Sequence, residues 1–300
     1  MQPILFITVV LAWGFSWYAI HLQLGVTPDI VSIFWRFALA VILLWLGLAA
    51  MGQLKPVRWR QHGWFMVLGI TLFSSNFMFI YGAEKSVPSG LVSVIFSMAT
   101  IFNAFNQWIF RGVRPSLRML LGALVGICGV TCLFANQISL TMHKAGLSGI
   151  LLALAGTYAF SLGNLASGKA TATGVDLPNA IVRGMSWGLC LLAVVILLQG
   201  HNFLPHISTS YMVGLAYLSL IGTVVGFLAY LSLIARIGPA KAAYTTILSP
   251  IVALSVSTAL EHLTWRFSMF IGVALILSGN IIIFTPTRIS RFFRYNTAPR

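Results

Sequence analysis

Trp13 and Trp17 stand four residues apart with Ser16 between them, a spacing that puts both indoles on one face of a helix. Tyr158, Ser161 and Asn164 form a second stripe at intervals of three. Asn76 and Tyr81, Ser93 and Ser97, Phe227 and Tyr230, and Tyr244 and Ser249 place further rings, hydroxyls and amides inside otherwise apolar runs. As a set, these residue types suit a neutral, aromatic-walled cavity. Such a cavity would hold an amphipathic or aromatic solute by stacking, cation–π contact and a few hydrogen bonds. Read singly, each also has a structural use. Serine hydroxyls bond their own backbone or a neighbouring helix, and Trp and Tyr form belts at the ends of membrane spans.

The chain has four acids, Asp29, Glu84, Asp176 and Glu261, and six histidines, at 21, 62, 143, 201, 206 and 262; all fall at the ends of apolar runs. With none at mid-depth, a membrane hydrolase or metalloenzyme would lack its base, nucleophile partner or ligands. No catalytic residue, metal site or cofactor is therefore expected. The same absence argues against coupling to protons or sodium through a buried carboxylate. The net charge of +14 would suggest nucleic acid in a soluble chain. Here it follows from loop bias, and no nucleic-acid partner is expected.

The elements that must position these groups are membrane helices. A chain of 300 residues that is 59% hydrophobic and 7% charged is a polytopic membrane protein, since a soluble domain carries roughly 25% charged residues. Ten spans are predicted, at about 3–21, 30–51, 62–83, 88–110, 116–135, 146–168, 177–199, 209–232, 239–260 and 267–286. The first has no basic segment or cleavage site before it and is expected to be retained. Of 18 lysines and arginines, 13 fall in one set of alternate loops, three (Lys85, Lys144, Arg266) in the other, and two (Arg36, Arg183) inside spans. The positive-inside rule then puts both termini in the cytoplasm of a bacterial inner membrane. Cys128, Cys132 and Cys190 lie inside spans and read as small buried hydrophobes.

Span 9 opens on Gly238-Pro239 and is interrupted by Ser249-Pro250, and Pro88 opens span 4. Proline removes a backbone donor and clashes with the preceding turn, so a kink or local opening is expected at Pro250. In a membrane such a break persists only where protein or a watery cavity satisfies the freed carbonyl. These Gly and Pro positions in spans 4 and 9 are the candidate gating points.

An internal repeat is also legible. Trp13-Gly14-Phe15-Ser16 matches Tyr158-Ala159-Phe160-Ser161, Arg36 matches Arg183, Pro88 matches Pro239, and Gly122 and Gly129 match Gly272 and Gly279, all at offsets between 145 and 151. The order and near-constant offset define two five-span units, 1–140 and 141–300. An odd unit enters the membrane from opposite sides in its two copies, so the fold is an all-α inverted 5+5 repeat with the substrate expected near the midplane between halves. Arg36 and Arg183 are then mirror-placed near span ends and read as structural charges bonding helix-end carbonyls. The glycine stripes of spans 5 and 10 permit close helix approach, within the chain or with a second copy in a homo-oligomer.

In these features the chain resembles the drug/metabolite transporter superfamily, EamA type, over essentially its whole length. The resemblance rests on the 5+5 repeat, the Trp13–Ser16 opening, Arg36-Phe37 in span 2, and Ser249-Pro250 followed by Glu261. Within that group it looks most like the YddG-like aromatic amino-acid exporters. The resemblance implies a central cavity lined by spans 1, 3, 4, 6, 8 and 9, peripheral spans 5 and 10, and export of amino acids or related metabolites by alternating access. Ala99 stands where the second half has Pro250, and Arg111 where it has Glu261, so strict symmetry of the halves is not implied.

Overall fold

The computed structural model describes residues 2–25, 27–112, 114, 116–139, 144–237 and 244–284. All regular structure among them is helical. The helices are α1 (Gln2–His21), α2 (Asp29–Ala50), α3 (Trp59–Glu84), α4 (Ser89–Arg111), α5 (Leu117–Ser139), α6 (Lys144–Ala172) and α7 (Leu177–Leu198). They are followed by α8 (Thr209–Ala216, Tyr217–Val225 and Gly226–Ile237), α9 (Tyr244–Leu260) and α10 (Phe267–Phe284). Among the described residues, seven are long and apolar enough to cross a bilayer, and shorter apolar helices at Leu117–Cys132, Thr245–Leu260 and Phe267–Ile282 complete a series compatible with ten spans.

Burial runs inside out, as a lipid solvent requires. Leu46, Leu124, Leu151 and Leu197 face outward, while Arg36, Asn76, Asn106, Asn179 and Asn280 are buried. Cys128 and Cys190 are exposed too, which corrects the expectation that they are buried: the outward face of a span is as apolar as its interior, so a small hydrophobe has no reason to turn inward.

The packing has a paired pattern. α1 packs against α8 and α9, and α6 packs against α3 and α4. α2 meets α7 and α8, and α7 meets α3. α5 and α10 pack against each other. A Cβ on Gly279 would lie 2.6 Å from the Gly122 carbonyl oxygen, and one on Gly129 would lie 2.8 Å from that of Gly272. The glycine faces are therefore covered within the chain.

Two helices change pitch at matching places. In α3 the segment Gly69–Ser75 is wound as a π-type turn, and in α8 the segment Tyr217–Val225 is. The Asn76 N–H reaches back to the Thr71 carbonyl, and the Gly226 N–H to that of Ile221. Such insertions rotate the residues that follow them, and they recur at functional sites. The Ser74 hydroxyl donates to the carbonyls of Gly69 and Gly188, each at 3.0 Å, tying the first turn to α7.

The expected opening at Pro250 is not where the helix breaks. α9 runs through Pro250 without interruption, whereas α4 is broken at Ser97–Met98, between Ser89–Phe96 and Ala99–Arg111. Hydroxyl back-bonding accompanies the α4 break: Ser97 Oγ donates to the Val94 carbonyl at 2.7 Å and accepts from Asn280 Nδ2 at 2.9 Å.

Candidate functional site

The cavity forms where the pitch changes deliver their side chains. It encloses ≈ 70 Å³ and is lined by Trp13, Ser16, Trp17 and Ile20 of α1, Arg36 of α2, and Leu72, Asn76, Phe77 and Ile80 of α3. Phe96 of α4, Phe160 of α6, Gly222 and Phe227 of α8, and Thr246 and Ser249 of α9 complete the wall. Asn76 is the first residue after one π-type turn, and Phe227 the second after the other.

The rings form two connected runs. Trp17 meets Phe96 edge-on at 5.2 Å, and Phe96 meets Phe160 at 4.7 Å. Trp13 packs on Phe227 at 5.7 Å and on Tyr230 at 4.9 Å. Trp13 fits because position 226 is glycine: a Cβ there would stand 2.7 Å from the indole Nε1. A Cβ on Gly222 would meet the Ser16 hydroxyl at 2.6 Å.

Of the residues the sequence offered, Trp13, Trp17, Asn76, Phe227 and Ser249 lie on this wall, and Tyr230 stands behind Trp13. Others are spent on helix contacts. Tyr81 is fully buried and donates to Gln23 Oε1 at 2.7 Å. Ser93 and Ser97 bond carbonyls of their own helix. Ser161 accepts from Asn106 Nδ2 at 2.8 Å, Asn164 donates to Asn103 Oδ1 at 3.4 Å, and Tyr158 packs on Phe102. Pro88 is the residue before the first turn of α4. Gly238, Pro239 and the Tyr244 side chain lie outside the described residues. Sequence reasoning missed Phe77, Phe96, Phe160 and Gly222. Phe160 could have been found, since it falls inside the repeated Tyr158–Ser161 motif.

The two intramembrane arginines differ. Arg183 donates to the Asn179 carbonyl at 3.1 Å, to Asn179 Oδ1 at 2.7 Å and to the Lys55 carbonyl at 2.5 Å. Asp176, one turn earlier, caps α7 through the Asn179 N–H and pairs with Lys55 at 2.7 Å. This cluster ties the start of α7 to the segment between α2 and α3 at one end of the bundle. Arg36 is 3% exposed and lines the cavity. Its Nε donates to Thr223 Oγ1 at 3.3 Å, and its Cζ lies 4.3 Å from the Phe77 ring centre.

At the other end, Glu261 accepts from the Ser89 N–H at 3.1 Å and from the Ser89 hydroxyl, joining α9 to α4. Lys85 pairs with Asp29 at 2.6 Å. Glu84 corrects a simple reading of helix ends as surface: it ends α3 yet is 5% exposed, with neither carboxylate oxygen hydrogen-bonded, because neighbouring helices cover that end. Among the described residues no group of acids, histidines and cysteines could hold a metal ion.

A model of the EamA-like transporter family matches this chain over residues 2–135 and again over 147–285. An uncharacterized inner membrane transporter of Escherichia coli, YedA, is 24% identical over 273 residues, covering 90% of this chain and 86% of that protein. A Salmonella typhimurium protein named as a probable amino-acid metabolite efflux pump is 24% identical over 298 residues, covering 95% of each. A solved crystal structure shares the fold at a TM-score of 0.68 and 16% identity, covering 97% of this chain and 98% of that one.

Proposed function

Since the chain belongs to the EamA-like transporter family, and is thus a multi-pass membrane transporter, we propose that it exports amino acids, aromatic ones among them, by alternating access through this cavity. The observation that carries the reading is the make-up of the wall, which combines six aromatic side chains with Arg36, Asn76 and three hydroxyls and has no acid. Rings of this kind hold an apolar side chain, and the few polar groups fix its orientation. Relatives named as probable amino-acid metabolite efflux pumps support the same class. A cation carrier is disfavoured, because a buried cation needs an anion beside it.

The bundle ends supply the two gates such a cycle needs. Loop charge supports both termini in the cytoplasm, so the Lys55–Asp176–Asn179–Arg183 cluster would be the inner gate and the Glu261–Ser89 contact the outer one. The two units, 1–140 and 141–300, would rock against each other between these states.

Counterflow in proteoliposomes tests the reading. Liposomes loaded with unlabelled phenylalanine, tryptophan, leucine or threonine are given the labelled amino acid, with and without a pH gradient. Saturable exchange that ignores the gradient is the expected result. No exchange of any amino acid by folded protein would move the substrate to another metabolite class. Uphill movement driven by the gradient would overturn facilitated transport.

A further inference from the structure

We infer that Arg36 is the cavity's carboxylate-binding residue, and that with Asn76 it forms a receptor for the zwitterionic end of the substrate. A guanidinium offers five donors in a planar fork. In Arg36 one nitrogen, Nε, bonds Thr223, the Tyr81 phenol stands beside the group, and Nη1 is buried with no hydrogen-bond partner. No acid stands within ion-pair distance of it among the described residues, and the acid that acts on it electrostatically is the buried Glu84 carboxylate, which has no hydrogen bond of its own. An unpaired buried charge is costly, and a site that retains one gains when an anion arrives.

Asn76 supplies the complement. It is 2% exposed, its Nδ2 bonds the Leu72 carbonyl at 3.4 Å, and its Oδ1 has no donor. Two residues of one aromatic wall, Arg36 and Asn76, thus each carry a buried polar atom without a partner, one a cationic donor and one a carbonyl acceptor. They complement, respectively, a carboxylate and an ammonium on one small molecule.

The second half shows what partner Arg36 lacks. Asn179 holds Arg183 from one turn below. The residue at the same place below Arg36, four positions earlier, is Ser32, whose hydroxyl is itself buried without a partner. A serine does not reach where an asparagine does. Arg183 is thereby spent at that end of the bundle, and Arg36 is available to the cavity.

The amino-acid reading above enters only in the choice of probes. Purified wild-type protein, Arg36→Gln, Arg36→Lys and Glu84→Gln are followed by thermal shift with phenylalanine, 3-phenylpropionate, phenylalaninamide and 2-phenylethylamine. Phenylalanine and 3-phenylpropionate are expected to stabilise the wild type, and the two probes lacking a carboxylate are not. Arg36→Gln should lose about 10- to 100-fold in affinity for the carboxylates. Arg36→Lys should keep the preference at reduced affinity, because it keeps the charge and loses the fork. Glu84→Gln should keep it as well.

Stabilisation by 3-phenylpropionate but not phenylalanine would leave Arg36 in its role and remove the amino-acid reading. Equal stabilisation by phenylalanine and its amide would overturn the role of Arg36 while amino-acid exchange still stood. The inference also falls if Arg36→Gln retains the preference, if Glu84→Gln abolishes it, or if no carboxylate stabilises the wild type.

Discussion

Glu261 holds the first turn of α4 by two bonds, one to the backbone N–H of Ser89 and one to its hydroxyl. A carboxylate at a helix N-terminus satisfies orphan donors and opposes the positive end of the helix dipole. The contact crosses from the end of α9 to the start of α4, and the two residues are 172 apart in sequence.

The backbone bond is independent of the serine side chain, which sets an order of effects. Glu261→Ala removes both bonds and should cost about 1–3 kcal/mol. Ser89→Ala leaves the N–H bond and should cost less, about 0.5–1.5 kcal/mol. Apparent melting temperatures of the purified variants check this. An equal loss in both would assign the contact to the hydroxyl alone.

Gly226→Ala should separate stability from substrate handling. The new methyl would meet Trp13 Nε1 at 2.7 Å and shift the indole. Overpacking costs about 1–3 kcal/mol, and alanine's helix preference returns up to about 1 kcal/mol. Counterflow of phenylalanine should show a KM raised several-fold, with a melting temperature lowered by only a few degrees. Gly47→Ala is the control: nothing lies within 4 Å of its new Cβ, and it should stabilise slightly without moving KM.

Gly279→Ala should cost stability without touching the cavity. Its Cβ would press on backbone atoms of Gly122 and Gly126 at 2.6 and 3.0 Å, and backbone cannot step aside by changing rotamer. α5 and α10 must separate, with a loss of about 1–3 kcal/mol. A drop in melting temperature with an unchanged phenylalanine KM is expected. A KM change would bring these helices into the transport cycle.

Acid should weaken the Lys55–Asp176 end in a defined window. Burial by itself raises the Asp176 carboxyl, but bonds from Lys55 and from the Asn179 amides outweigh it and hold the group below its ordinary value of 3.8. A lowered folded-state value stabilises the fold when the group is ionised. The contribution is complete above 3.8 and is lost as pH falls below it toward the folded-state value. The melting-temperature gap between wild type and Asp176→Asn should therefore be constant from neutral pH down to about 5 and close in more acid buffer. A gap that persists at the lowest pH would show that Asp176 acts through shape and not charge.

Apolar run lengths and loop charge made the membrane class legible, and the matched motifs made the repeat legible, because each depends on local composition. Site residues were harder. Helical spacing put Trp13 and Trp17 on one face, and that face lines the cavity. Ser161 and Asn164 looked equivalent to them, yet they bond Asn106 and Asn103 across a helix contact. Asn76 and Phe227 owe their direction to π-type turns, which no hydrophobic period reveals. Pro250 sits in an unbroken helix, while the hydroxyl of Ser97 accompanies the real interruption.

By itself the sequence determined a polytopic helical membrane protein, because lipid admits only segments that satisfy their own backbone, and such segments announce themselves by length and composition. Only the tertiary structure decided which polar groups are spent and which remain free. Arg36 and Arg183 are the same residue type at matching places in the repeat. What distinguishes them is what packs around each: Asn179 and the Lys55 carbonyl hold one, and the other belongs to the cavity wall and keeps one buried donor unmet. A helical face has no partners until other helices are laid against it.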